Sequence, residues 1–354
     1  MPAAPDTSSS IWLRPGLRLG AFLAGAAHLD TALFDVDGVL IDTRRSYRLA
    51  VCYAAEQIVR VLNGLSDAPS PLVTSEDVAA FKLAGGFNSD WDAAQLFAAL
   101  WTAKLREWRG TPAADVPVRE WAARASAAAR AGRGGMAWVR ATVPASAIPD
   151  DETARWAMDE QYWGAELLRA FFGREPLYAP DAPGLVHNEE LLLGEELLPA
   201  LAAAGITKLG LITGRVGPEV GWAVTRLATG SGLPDDPDDV ADGVVMWAES
   251  EHGRSPFGAI VPATVYAKPD PRALIEAVRA LGARAALYAG DTADDLDLVL
   301  RYRREAQAAD AALPPVLAVQ IASGDEAAVY RERGADIVIP HITQLPAALA
   351  LLEG

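Results

Sequence analysis

One run constrains this chain more than any other: Leu33-Phe34-Asp35-Val36-Asp37-Gly38-Val39-Leu40. Residues Thr31 to Val36 are apolar and β-prone, so they read as a central strand of a parallel sheet. Such sheets place reactive groups where strands end, and here Asp35 and Asp37 leave the strand together. At alternate positions of an extended segment they share a face, too close for both to ionise comfortably unless a cation sits between them. The pairing suits a divalent metal and acid/base work. An Asp-x-Asp-Gly turn is also ordinary loop chemistry, so the remainder of the chain decides between the two.

The 354 residues, 51% of them hydrophobic, suffice for one large domain or two of ordinary size. A formal net charge of −16 and a pI near 4.7 argue against nucleic acid or an anionic membrane as partner, since both demand a positive field. An anionic substrate would need local neutralisation by a metal or a few placed cations. The single cysteine, Cys52, excludes an internal disulfide and a cysteine-based zinc site; it reads as a buried thiol, and a reducing cytoplasm is expected. Leu17 to Ala27, behind Arg14 and Arg18, has the composition of a signal peptide. It runs into the Asp35 strand, however, and cleavage there would leave that strand almost no lead-in. No stretch reaches the roughly 20 apolar residues of a membrane helix. Self-association into a homo-oligomer is left open.

After Asp42 the pattern turns helical, with Val51, Ala55, Ile58 and Leu62 on one face. Thr74 with Asp77 predicts a capping box for a helix that Gly85-Gly86 ends. Asn88 or Ser89 starts the next, running to about Trp108, and Val118 to Ala131 and Asp151 to Phe172 supply two more. Seven of the ten tryptophans fall in this region, which reads as the core of a small helical domain rather than an aromatic ligand cage. Strand and helix signals alternate from Asn188 onward: a leucine-rich helix to Ala204 broken near Pro199, strands at Lys208 to Thr213, Gly243 to Ala248, Ala285 to Ala289, Val316 to Ile321 and Ala335 to Ile339, and helices between. This alternation predicts an α/β fold, a doubly wound parallel sheet interrupted after its first strand by an all-helical insertion. The expected division is 1–28 as tail and lead-in, 29–43 with 188–354 as the α/β core, and 44–187 as the helical domain.

Three polar clusters follow the aspartates, each at a predicted strand end or helix start. Ile212-Thr213-Gly214-Arg215 offers a hydroxyl and backbone N–H groups that could hold phosphate oxygens. Lys268 precedes Pro269-Asp270-Pro271, where Asp270 is the expected N-cap and Pro271 the first helical residue. Gly290-Asp291-Thr292-Ala293-Asp294-Asp295 offers carboxylates for a hard cation such as Mg²⁺. Each is weak alone; in this order together they are not coincidence.

The ordered set resembles the haloacid dehalogenase-like hydrolase superfamily, whose four motifs match Asp35-Val36-Asp37-Gly38-Val39, Thr213, Lys268 and Gly290-Asp291 through Asp295. The helical insertion stands where that family carries a specificity cap. The resemblance implies Asp35 as nucleophile, Asp37 as general acid and then base, and Thr213, Gly214 and Lys268 on the phosphoryl oxygens. It implies Mg²⁺ on Asp35, the backbone carbonyl of Asp37, and Asp291, with Asp295 ordering metal waters or pairing with Lys268; between Asp294 and Asp295 the register stays open. Asp37 favours phosphate-ester hydrolysis, because the dehalogenase and phosphonate-cleaving branches lack it. The expected substrate is a small phosphorylated metabolite.

Within the insertion, Gly85-Gly86-Phe87-Asn88-Ser89-Asp90-Trp91-Asp92 combines glycines, a helix start and an aromatic surface, and Asn88 and Asp90 are candidate contacts to the part of the substrate that is not phosphate. A plain glycine turn before an acidic first helical turn accounts for the same residues. Arg215 suits a substrate contact or a surface role equally. The acidic stretch Asp235 to Asp242 reads as a solvated loop, and His28, His187, His252 and His341 are scattered without ligand spacing. A phosphomutase, a histidinol-phosphate phosphatase and a catalytically silent protein on this fold are the alternatives to a phosphatase.

Overall fold

A strand apolar at all but its first position needs cover on both faces, and β2 (Thr31–Phe34) obtains it: all four of its residues are buried. A computed structural model of the chain describes residues 11–23, 28–66, 68–87, 89–215, 217–229, 257–308 and 313–353. The expected strand at Gly243 to Ala248, the acidic stretch Asp235 to Asp242, His252 and Asn88 lie outside the described residues. Two compact units emerge, one of residues 1–42 and 190–354, the other of residues 43–189.

The strands of the first unit are, in chain order, β1 (Trp12–Leu13), β2, β3 (Ile41–Asp42), β4 (Glu190–Leu191), β5 (Lys208–Thr213), β6 (Ala259–Pro262), β7 (Ala286–Gly290), β8 (Val316–Ile321) and β9 (Ile337–Ile339). Among the described residues they form a seven-stranded sheet of order β1-β9-β8-β7-β2-β5-β6, and β3 pairs with β4 in a separate antiparallel ribbon. Strands β2, β5, β6, β7, β8 and β9 run parallel. The reversal of strand order around β2 makes its end the switch point at which ligands bind in such sheets. Ala32, Phe34, Leu211, Leu287, Leu317 and Ile337 lie in one buried cluster.

Three expectations are corrected here. The lead-in is part of the sheet: β1 pairs antiparallel with the edge strand β9, and Arg14 makes an ion pair with the buried Asp336. The helix expected from Asn188 begins only at Leu197. Pro199 lies in its first turn, where a backbone N–H has no intrahelical partner to lose, so it does not break the helix. The strand Ala259–Pro262 was not legible, because an apolar run of four residues carries no periodicity that marks it as a strand.

The second unit is helical. Tyr47–Gln57 packs on Asp90–Thr102 and on Asp151–Phe172, and Ser75–Ala84 packs on Val118–Arg130. Tyr47–Gln57 and Asp90–Thr102 continue as π-helical turns, Ile58–Leu62 and Ala103–Glu107. Thr74 and Asp77 form the capping box, and Ser89 caps the helix beginning at Asp90. A helix at Gly135–Thr142 was hidden by the glycine run before it. Its cause is tertiary: Gly86 and Gly135 meet backbone to backbone, and a Cβ on Gly86 would fall 2.7 Å from the Gly135 nitrogen. Trp121 stacks on Trp108 at 5.2 Å and meets Trp138 edge-on at 6.3 Å, so these tryptophans are core.

Candidate active site

The parallel register brings the motif residues to one edge of the first unit's sheet. Phe34 is level with Leu211 on one side and Ala289 on the other, so Asp35, Ile212-Thr213 and Gly290-Asp291 leave neighbouring strands side by side. The loop after β6 delivers Lys268. Asp270 caps the following helix by accepting from Arg272 N, with Pro271 at the first helical position, which anchors the chain just beyond the lysine.

Lys268 is buried between two carboxylates: its Nζ lies 2.7 Å from Asp35 Oδ1 and 2.8 Å from Asp295 Oδ1. Asp35 Oδ1 also accepts the Val36 N–H at 2.8 Å. Asp295 is saturated with donors. Tyr288 Oη donates to its Oδ1 at 2.6 Å, and Thr292 donates to Oδ2 through both its N–H, at 2.9 Å, and its hydroxyl, at 2.6 Å. The open register thus resolves geometrically: Asp295, not Asp294, faces the lysine. Thr213 is buried, and its Oγ1 accepts the Arg215 N–H at 3.1 Å. Gly214, next to it, is exposed.

Burial pushes the Asp35 carboxyl well above the usual carboxylate range; Lys268 opposes this, and Asp295, Asp37 and Asp291 reinforce it. Burial would also raise Asp295, but Lys268 and the hydrogen bonds from Thr292 and Tyr288 outweigh it and hold the group below its ordinary value. Lys268 itself is raised: burial would lower it, and the two carboxylates prevail. Asp294 is pushed up to about 6 by burial and by Asp295 and Asp297.

Asp35, Asp291 and Asp295 each offer an oxygen within 4.8 Å of the others. Three carboxylates against one ammonium, all hard oxygen donors, match the requirements of Mg²⁺. Gly38 keeps the space beside Asp291 clear, since a Cβ there would fall 2.6 Å from Asp291 Cγ. The Asp37 side chain stands outside this cluster. Its Oδ1 accepts from Arg215 Nε at 2.9 Å and Nη2 at 2.7 Å.

Sequence reasoning missed Tyr288 and left Arg215 between a substrate contact and a surface role. Arg215 is buried, which removes its surface reading. Tyr288 lies inside β7 and looks like core; the only sequence signal near it is the Thr292-x-x-Asp295 spacing, which resembles a capping box. In the helical unit, the candidate contact Asp90 is buried and 3.0 Å from Lys82 Nζ.

The family model for haloacid dehalogenase-like hydrolase matches residues 29–298. Among solved structures the chain is similar to Phosphatase Tt82 from Thermococcus thioreducens, at 26% identity over 78% of this chain and 88% of that one, with a TM-score of 0.49. It is also similar to a hydrolase from Pseudomonas syringae, at 16% identity over 92% and 100% of the two chains, TM-score 0.42. A third is CbbY from Rhodobacter sphaeroides in complex with phosphate, at 16% identity over 91% and 99%, TM-score 0.42. No curated protein sequence matches the chain.

Proposed function

Because this chain belongs to the haloacid dehalogenase-like hydrolase family, we propose that it is a Mg²⁺-dependent phosphatase that acts on a small phosphorylated metabolite through an aspartyl-phosphate intermediate. The observation that carries this reading is the buried chain Asp35–Lys268–Asp295, with Asp291 beside it, at the switch point of a parallel sheet.

The Asp35 carboxylate, its plane fixed by Lys268 and the Val36 N–H, attacks phosphorus. The ester P–O bond breaks, and the leaving oxygen takes a proton from Asp37. Asp37 then removes a proton from water as the water oxygen attacks phosphorus; the bond to Asp35 breaks, and inorganic phosphate leaves. Thr213 already accepts from Arg215 N, so its hydroxyl proton is available to a phosphoryl oxygen, alongside the Gly214 N–H and Lys268. Asp35, Asp291 and the Asp37 carbonyl would hold Mg²⁺, with Asp295 behind them, and the ion supplies charge neutralisation on the phosphoryl oxygens. Phosphoryl transfer depends mostly on such positioning and electrostatics.

The same reading assigns selectivity to Asn88 and Asp90 of the inserted unit. It places the protein in the cytoplasm, which the lone buried thiol of Cys52 supports; no described helix is long and apolar enough to cross a membrane. The test is phosphate release from a panel of phosphorylated metabolites, histidinol phosphate and an aryl phosphate included, with Mg²⁺ or with EDTA. Release with Mg²⁺ and none with EDTA is expected. No release from any member would refute the reading.

A further inference from the structure

The guanidinium of Arg215 is 1% exposed, whereas its partner Asp37 is 23% exposed. Burying a guanidinium is costly unless it is paired in good geometry, so this arginine is placed for what it holds. Two donors of its rigid fork, Nε at 2.9 Å and Nη2 at 2.7 Å, converge on the same oxygen, Asp37 Oδ1. The fork is anchored in turn, because Arg215 N donates to Thr213 Oγ1 at 3.1 Å and Nη1 reaches the Glu219 carbonyl at 3.5 Å. A carboxylate that serves first the leaving oxygen and then water must offer one oxygen in one direction through both steps. Fastening Oδ1 from the protein side leaves Oδ2 as the oxygen that Arg215 does not hold.

We propose that Arg215 is the positioning residue for Asp37, fixing Oδ1 so that Oδ2 carries the proton to the leaving group and takes it from water. The proposal rests on the phosphatase reading. It requires Arg215 to matter most where the proton matters most, with substrates whose leaving oxygen is strongly basic.

The test compares R215Q and R215K with the wild type on an alkyl phosphate and on p-nitrophenyl phosphate, in the Asp37 and the Asp37→Asn backgrounds, with melting curves on every variant. R215Q should lower kcat/KM for the alkyl phosphate by about 10²-fold, the scale of a misplaced reacting group, and for p-nitrophenyl phosphate much less. R215K, which keeps the charge without the fork, should recover part of the loss and keep the same bias even if R215Q fails to fold. In the Asp37→Asn background R215Q should cost nothing further, since both act on one step. By NMR, the Arg215 Nε–H resonance should shift when Asp37 is replaced by Asn, whether or not a substrate is turned over. Equal losses on both substrates, additive losses in the double variant, or an Nε–H signal indifferent to Asp37 would overturn the proposal while leaving an active wild type. A wild type that releases no phosphate would instead overturn the functional reading, and this inference with it.

Discussion

Replacing Gly38 with alanine separates backbone strain from damage to the carboxylate cluster. Gly38 has φ +75°, and an L-residue there costs about 1–2 kcal/mol, a fall in melting temperature of about 2–8 °C for a unit of this size. The second effect is steric. The new Cβ would fall 2.6 Å from Asp291 Cγ, against an ordinary carbon contact of about 3.5–4.0 Å, so the carboxylate must yield by about 1 Å. Backbone movement does not relieve this: the Asp291 carbonyl accepts from Tyr330 Oη at 2.8 Å, and Gly38 N donates to the Ile41 carbonyl at 2.8 Å. The side chain of Asp291 therefore turns away, and a displacement of that size costs about 10²-fold in rate. Gly16 is the matched control, with φ +79° and nothing within 4 Å of an added Cβ. Both variants should melt lower by similar amounts, while only Gly38→Ala should lose Mg²⁺ affinity by calorimetry and Mg²⁺-stimulated phosphate release. Wild-type Mg²⁺ binding in Gly38→Ala, or equal harm from Gly16→Ala, would refute the reasoning.

Asp35→Asn should abolish Mg²⁺-dependent phosphate release while leaving the far-UV circular dichroism unchanged, because it removes the attacking oxygen at constant size. Lys268→Met leaves Asp35 and Asp295 buried without their cation, a loss of about 3–5 kcal/mol in denaturant melts at pH 7. Without that cation, burial raises both carboxyl groups in the folded variant and protonation relieves the penalty, so the gap to wild type should narrow as pH falls toward 4 and widen as it rises. Tyr288→Phe removes one donor to the buried Asp295 carboxylate and should cost about 1.5–3 kcal/mol in the same melts; an unchanged midpoint would show that Lys268 and Thr292 satisfy Asp295 alone. Burial, then Asp77 and Glu56, pushes the Cys52 thiol up to about 12, so a disulfide reagent at pH 8 should label it only on unfolding.

The Asp35-Val36-Asp37-Gly38 motif, the capping box of Thr74 and Asp77 and the glycine stop at Gly85 were readable because each is a local matter. A strand that is apolar at all but its first position, an N-cap with its partner three residues on, and carboxylates that leave a strand together all carry their physics within a few residues. The same holds for Asp270-Pro271, where side chain and ring meet the needs of one helix start. Arg215, Tyr288 and the lead-in were different. An arginine after a strand, a tyrosine in a strand and a Trp-Leu pair near the start each have an ordinary local meaning. Their actual roles come from partners remote in sequence: Asp37, 178 residues away for Arg215, and β9 for β1. The choice between Asp294 and Asp295 was likewise tertiary, since consecutive helical residues point about 100° apart and only the packing of that helix on β7 selects which one meets Lys268. The sequence by itself thus determined the fold class and the set of polar groups gathered at the strand ends, because these follow from short-range periodicity and strand-end chemistry. Tertiary structure alone decided which charges are buried together, and with that the raised carboxyl of Asp35, the clamp on Asp37 and the space that Gly38 keeps open beside Asp291.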